Sequence, residues 1–120
     1  MIKLVYAIRR RPDLSPEAFR RRWLAHAPLV ARCAESLRAR RYVQSHTLET
    51  PFNAALAASR GAAPAFDGIT EVWWDSLEAL QAGLASEAGR AAGQALLDDE
   101  RDFIDLAASH LFLTEEHAIF

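Results

Sequence analysis

His26 and Pro28 lie two residues apart in WLAHAPLV, residues 23–30, inside a segment with the apolar spacing of an amphipathic helix. An imidazole exchanges a proton near neutral pH and can serve as a general base or a hydrogen-bond donor. Proline inside a helix removes a backbone hydrogen bond, at a cost of about 3 kcal/mol or more. We therefore predict a kink after His26, which would let its side chain reach toward a cavity. The alternative is a buried histidine that only binds a carbonyl freed by Pro28.

Two further groups could assist this histidine. Tyr42, Gln44 and His46 alternate along a predicted strand and so share one face. Such a row suits the polar part of a ligand cavity, or an exposed sheet edge. Asp67 could orient or charge-stabilise a histidine, although Asp67-Gly68 is also a turn dipeptide. We predict that His46 or Asp67 assists catalysis by the helix histidine, and that the tyrosine and glutamine bind the ligand.

Aromatic side chains could form the walls of a site for a flat ligand. Tyr6, Trp23 and Trp73 are the predicted wall residues, although aromatic residues at helical or strand spacing can equally be core. Glu71 shares the strand face of Trp73, and a buried carboxylate needs a partner. We expect that partner to be Arg41 or an arginine of a second subunit, and we include Glu71 among the ligand-binding residues.

Composition and motifs exclude several classes of function. The chain has no HxxxH or CxxC motif, no glycine-rich phosphate loop and no Rossmann fingerprint, so we expect no metal and no cofactor. Its net charge is -2, and we interpret the arginines at 9–11 and 20–22 as solvated faces, with no nucleic-acid partner. No apolar run approaches the roughly 20 residues of a membrane span. The single cysteine, Cys33, excludes an intrachain disulfide and fits a cytoplasmic protein.

The elements that must position these groups follow the order βαββαβ. Strand patterns cover 2–9, 41–48, 66–75 and 110–117. Helix patterns cover 16–26 with 28–39, a short 53–60 ended by Gly61, 76–86 and 87–105. This order predicts one α+β domain over 1–120 with the ferredoxin-like plan, a four-stranded antiparallel sheet with helices on one face.

The second face of that sheet needs a cover. Helices can cover only one face, and a large apolar patch is rare on a monomer. The uncovered face would carry one of two sets, Trp73, Ile69 and Tyr42, or else Trp74, Val72 and Val43. We predict that a second copy packs sheet to sheet about a two-fold axis, giving a homodimer with a barrel-like interior.

Four segments in this order resemble the EthD family: IKLVYAIRRRPDLSPEAFRRRWLAHAPLV, RYVQSH, FDGITEVWW and DDERDFID. The resemblance covers nearly the whole chain and implies a dimeric α+β barrel related to polyketide cyclases, muconolactone isomerases and small antibiotic-biosynthesis monooxygenases. It implies no particular reaction. The family usually has His-Gly-Pro where this chain has His26-Ala27-Pro28. Some barrel relatives bind haem through one histidine, which would make His26 or His46 the ligand.

Two functions follow from these residues and this resemblance. The first is a small cofactor-free enzyme with a mainly apolar pocket for an aromatic or polyketide-like molecule, in which His26 moves a proton next to a carbonyl. Isomerisation, cyclisation, dehydration and decarboxylation all fit that chemistry. The alternative is a non-catalytic accessory protein that binds a hydrophobic metabolite in an oxygenase-linked degradation pathway. A third possibility is a structural dimer whose cavity is filled by its own side chains.

Overall fold

A four-stranded antiparallel sheet, covered by helices on one face, forms the frame of the protein. A computed structural model describes all 120 residues, Met1–Phe120. The strands are β1 (Ile2–Ile8), β2 (Arg41–His46), β3 (Gly68–Trp74) and β4 (His110–Glu115), and their order in the sheet is β2-β3-β1-β4. The helices are α1 (Pro16–Leu37), α2 (Pro51–Arg60), α3 (Leu77–Ala85) and α4 (Glu87–Glu100), followed by a 3-10 turn at Leu106–Ala108. The predicted ferredoxin-like fold is confirmed. None of the helices has both the length and the apolar character that a membrane crossing requires.

Helix α1 is continuous, so the prediction of two pieces separated by a kink is wrong. It begins at the N-cap Ser15, whose side chain accepts a hydrogen bond from the Ala18 amide, and Pro28 lies inside it. Leu24, whose carbonyl loses its partner, is 59% exposed, and Pro28 is exposed as well. Water can therefore bind the freed carbonyl, while the opposite face of the helix stays packed on the core.

The strand register decides which side chains face the helices. Tyr42 lies opposite Val72, and Val43 lies opposite Glu71. Because directly opposite residues share a sheet face, Tyr42 belongs with Val72 and Trp74, on the face under the helices. The predicted grouping of Tyr42 with Trp73 and Ile69 is therefore wrong, and Val43 takes its place on the open face.

The core lies where α1 meets the sheet and the segment after α4. Phe19, Trp23, Ile8, Phe103 and Ile104 form one cluster, each at most 4% exposed. A second cluster packs α1 against α4 and includes Cys33, a buried free thiol as expected for a small apolar residue. Helix α2 has no buried residue and ends at Gly61, where φ is +60°. The two clusters fix α1 and α4 relative to each other, and this arrangement positions the groups described next.

Candidate functional site

A cavity of about 460 Å³ lies between the helix layer and the covered face of the sheet. Nineteen of its 23 lining residues are hydrophobic, so it suits a small apolar molecule. Its walls come from β1, β3, β4, α1, α3 and α4, with Tyr42 added by β2. Its polar lining groups are His26, Thr70, Glu100 and the hydroxyls of Tyr6 and Tyr42, and no lysine or arginine lines it.

His26 is the buried histidine of this cavity, and its partner is Asp99 on α4. Nδ1 of His26 lies 2.6 Å from Oδ2 of Asp99. The other oxygen of Asp99 accepts from the guanidinium of Arg22, which also pairs with Asp102 at 3.2 Å. The hydrogen bond from Arg22 is the main cause that lowers the pKa of Asp99, and the bond from His26 lowers it further. Asp99 is therefore ionised at neutral pH.

An ionised Asp99 fixes the tautomer of the neutral imidazole. A carboxylate can only accept, so Nδ1 must carry the hydrogen that it donates. Nε2 then has a free lone pair and makes no hydrogen bond within the chain. The one fully enclosed side-chain polar atom without a hydrogen bond is Nε of Arg10, so Nε2 of His26 is not fully enclosed. The His26 side chain is only 6% exposed and is part of the cavity lining.

Glu100 and Tyr6 form a second polar group in the same cavity, one that the sequence analysis did not connect. Burial raises the pKa of Glu100 from 4.5 to about 7, and a hydrogen bond with the Tyr6 hydroxyl opposes that rise. Burial, followed by the charge of Glu100, raises the pKa of Tyr6. A signal was present in the sequence: Leu96, Glu100 and Phe103 have helical spacing and fall on one apolar stripe. The acidic run around Glu100 hid it by suggesting a solvated face.

Tyr42, Gln44 and His46 do share a strand face, but only Tyr42 reaches the cavity lining. Nε2 of Gln44 donates to the Tyr42 hydroxyl at 2.8 Å and to the Trp23 carbonyl at 2.9 Å. Nε2 of His46 donates to Oε1 of Gln44 at 2.8 Å, and its ring stacks on Trp23 with centroids 4.3 Å apart. Burial, followed by the charge of Arg20, lowers the pKa of His46. His46 and Gln44 therefore hold Trp23 and Tyr42 in place from behind the wall.

Asp67 lies away from His26. Its Oδ2 accepts the Arg10 backbone N–H at 2.9 Å, and its Oδ1 lies 3.3 Å from Nε of Arg10. It therefore anchors the end of β1 beside the start of β3. The carboxylate that was expected to orient His26 is supplied by Asp99 instead of Asp67.

Glu71 and Trp73 lie on the open face of the sheet, outside the cavity. Glu71 pairs with Nζ of Lys3 at 2.7 Å, so its partner is Lys3 and the expected Arg41 pairing is wrong. Trp73 lies between Lys3 and Arg41, whose cationic groups are 5.5 and 4.7 Å from the indole ring centroid. Its Nε1 donates to Glu116 at 2.6 Å. Of the nine predicted site residues, the cavity brings together Tyr6, Trp23, His26 and Tyr42.

The fold and this cavity define a small ferredoxin-like protein with an apolar cavity under its helices. The EthD domain model matches residues 11–107, most of the chain, so the protein belongs to the EthD family. An EthD family protein from Bacillus halodurans C-125 superposes with a TM-score of 0.64 at 22% identity, covering 98% of this chain and 99% of that one. No match was found among curated proteins.

Two other solved structures share the fold at lower identity. A dimeric ferredoxin-like protein of unknown function from Bacteroides fragilis NCTC 9343 has a TM-score of 0.60 at 9% identity, over 96% of this chain and 95% of that one. SnoaB, a cofactor-independent oxygenase from Streptomyces nogalater, has a TM-score of 0.54 at 14% identity, over 98% and 95%. At these identities the likeness shows the fold alone.

Proposed function

We propose that this protein is a small cofactor-free enzyme that binds a carbonyl-bearing aromatic or polyketide-like molecule and moves a proton beside the carbonyl. The observation that carries the proposal is His26: its Nδ1 is bound by an ionised carboxylate, and its Nε2 opens into an apolar cavity of 460 Å³. A histidine held by a carboxylate in this way is arranged to accept a proton and to be stabilised as imidazolium.

The proposed step transfers one proton and involves no oxidation or reduction. Nε2 of His26 takes the proton from the carbon next to the carbonyl, and the electron pair of that C–H bond forms the enolate double bond. The carbonyl π electrons move to the oxygen, where a hydroxyl of the cavity donates a hydrogen bond. The imidazolium pairs with Asp99 and later returns its proton to carbon or to oxygen. Isomerisation, cyclisation, dehydration and decarboxylation can each proceed through this enolate.

Deuterium exchange tests this step before the natural substrate is known. An aryl ketone such as 1-tetralone is incubated with the protein in deuterium oxide, and label at the carbon next to the carbonyl is followed by mass spectrometry. We expect the protein to accelerate exchange, and His26→Gln to lower the protein-catalysed rate by about 100-fold or more. Asp99→Asn should lower it by about tenfold or more, because the imidazole loses the partner that fixes its tautomer.

Matched controls exist for both substitutions. His117 is three-quarters exposed and Asp98 is more than half exposed, so His117→Gln and Asp98→Asn should exchange like the unmodified protein. Binding of the ketone is followed separately, by quenching of tryptophan fluorescence, since Trp23 and Trp74 line the cavity. Tight binding without exchange would favour the accessory binding protein over the enzyme. Exchange that is unchanged in His26→Gln would refute the role of His26.

We also propose a homodimer formed through the open face of the sheet. That face carries Val5, Val43 and Ile69 beside the exposed Phe112, on all four strands. Burial of such a patch by a second copy is favourable because apolar area leaves water. The Bacteroides fragilis protein of the same fold is described as dimeric, which supports this proposal.

A further inference from the structure

Glu100 is the one carboxyl group in a cavity whose lining contains no lysine or arginine. The proton transfer proposed above uses His26 and Asp99 and leaves Glu100 without a role. Its contacts identify what it can do. Tyr6 of β1 lines the same cavity, and the neighbouring lining residues Leu96 and Phe103 are apolar. Apolar surroundings favour the protonated form of this half-buried carboxyl group, and a protonated carboxyl is a strong hydrogen-bond donor.

The apolar part of the cavity extends away from this polar end. On α1, Val30, Ala34 and Leu37 follow His26 along the lining, and Leu80 and Leu84 of α3 continue the same wall. His26 and Leu37 are eleven positions apart, which corresponds to about 16 Å at 1.5 Å per helical residue. The cavity therefore has a polar end at His26, Tyr6 and Glu100 and a long apolar end toward Leu37 and α3.

We infer that Glu100 recognises the ligand's carbonyl oxygen as a hydrogen-bond donor, so that the cavity takes an uncharged carbonyl head group with an apolar tail and rejects the corresponding carboxylate. A carboxylate head group would find no lysine or arginine in the lining and would face Glu100 with Asp99 behind it. An uncharged oxygen accepts the hydrogen bond without that repulsion. The inference deepens the proposed function, on which it rests for the location of the ligand, and does not depend on turnover.

Titratable groups reach the polar end from four elements, and all are named here. They are Tyr6 of β1, Tyr42 of β2, His26 of α1, and Glu100 of α4 with Asp99 beside it; β3, β4 and α3 contribute none to the lining. Arg22 lies beyond Asp99 and pairs with it. The pKa of Glu100, about 7, means that the donor hydrogen is lost as the solution becomes mildly alkaline. Affinity for an uncharged head group should therefore fall with rising pH.

The experiment measures binding of 4-butylacetophenone and 4-butylbenzoate by isothermal titration calorimetry at about pH 5.5 and about pH 8.5. The ketone is uncharged and its oxygen only accepts hydrogen bonds, and the benzoate is anionic at both values. We expect the unmodified protein to bind the ketone about tenfold more weakly at the higher pH, because ionised Glu100 has no hydrogen to donate to the carbonyl oxygen. The benzoate should bind at least about tenfold more weakly than the ketone throughout.

Three variants assign the effect to Glu100. Glu100→Gln keeps a hydrogen-bond donor that does not titrate, so it should bind the ketone at both pH values with the affinity that the unmodified protein has at the lower one. Glu100→Leu should weaken ketone binding at the lower pH by about tenfold. Glu35→Gln, on the exposed side of α1, should behave like the unmodified protein. A pH dependence of binding that came from His26 would persist in Glu100→Gln, and this variant therefore distinguishes it from the effect of Glu100.

The outcomes are distinct from those of the exchange experiment. Absence of ketone binding, equal binding of ketone and benzoate, or an unchanged pH profile in Glu100→Gln would each overturn the inference. A protein that binds as expected but fails to exchange deuterium would leave the inference intact and remove only the enzymatic step.

Discussion

At the scale of single residues, the site depends on which carboxylate meets His26. Asp67 and Asp99 both fit the chemistry that a histidine needs, and the sequence gives no means of choosing between them. The choice is made by packing: α1 lies against α4, which places Asp99 2.6 Å from Nδ1, whereas β1 holds Asp67 through Arg10. His26 and Asp99 are 73 residues apart in the sequence, so their contact depends on the tertiary fold.

The buried Glu100 predicts a specific pH dependence of stability. Its pKa rises from 4.5 in the unfolded chain to about 7 in the folded protein, so the folded state binds the proton more tightly. Its contribution to the free energy of unfolding is then fully present below pH 4.5 and is lost as the pH rises through about 7. A shift of this size corresponds to about 2 to 3 kcal/mol.

Glu100→Gln should remove the loss of stability that accompanies ionisation of Glu100. Urea unfolding at about pH 5 and about pH 8 should show the free energy of unfolding falling less in the variant than in the unmodified protein, by about 2 to 3 kcal/mol. Glu35→Gln, with an exposed carboxyl group, is the control and should follow the unmodified protein. Parallel pH profiles for Glu100→Gln and the unmodified protein would contradict the assignment of this titration to Glu100.

At the scale of elements, sequence patterns located every strand and helix, and their errors have physical causes. The N-caps Ser15, Ser76 and Ser86 each accept a backbone N–H, and the helices that they begin start within one residue of the predicted positions. Pro28 was expected to divide α1, but local propensity was outweighed by a packed face that runs along the helix on both sides of it. The strand faces were assigned correctly within each strand, and only the register between strands was beyond the sequence.

A close approach of α3 to the end of α1 gives a prediction for two glycines. A Cβ atom at Gly83 would lie 2.3 Å from the Leu37 carbonyl oxygen, whereas one at Gly93 on α4 would have nothing within 4 Å. Gly83→Ala should therefore lower the free energy of unfolding by about 1 to 3 kcal/mol, because backbone must move. Gly93→Ala should raise it by about 0.5 to 1 kcal/mol through helix propensity.

Both glycine variants are measured by urea unfolding under one set of conditions, and each serves as the other's control. Both variants replace a helical glycine by alanine, so the gain in helix propensity is common to them. The difference between them therefore measures the steric contact at Gly83. Equal effects at Gly83 and Gly93 would show that α3 does not approach α1 as closely as described.

At the scale of the whole molecule, the sequence predicted the fold from the order of its elements and the cavity only in part. Tyr6, Trp23, His26 and Tyr42 line one cavity because each sits on a strand or helix face that the pattern defines. Trp73 and Glu71 were misplaced because a two-sided sheet offers two apolar faces, and alternation alone does not say which one the helices cover. Because both faces carry apolar residues and the helices cover only one, the open face provides evidence about assembly.

The open face predicts assembly, and a charge placed among its apolar residues tests it. Ile69, near the start of the inner strand β3, is 38% exposed. Sedimentation equilibrium should give the unmodified protein twice the 13.3 kDa mass of the chain. Ile69→Lys should shift it to the monomer, because a lysine in an apolar interface would lose its hydration. Leu24→Lys, at an exposed leucine on the outer side of α1, should remain dimeric.

The cavity provides a second measurement on the same variants. The residues that line it all belong to one chain, so Ile69→Lys should still bind 4-butylacetophenone as a monomer. A monomeric unmodified protein, or an Ile69→Lys variant as dimeric as Leu24→Lys, would exclude the open face as the interface. Loss of all binding in a folded Ile69→Lys monomer would show instead that the partner subunit completes the site. The proposed interface and the proposed ligand cavity lie on opposite faces of one sheet, so these variants test assembly and ligand binding separately.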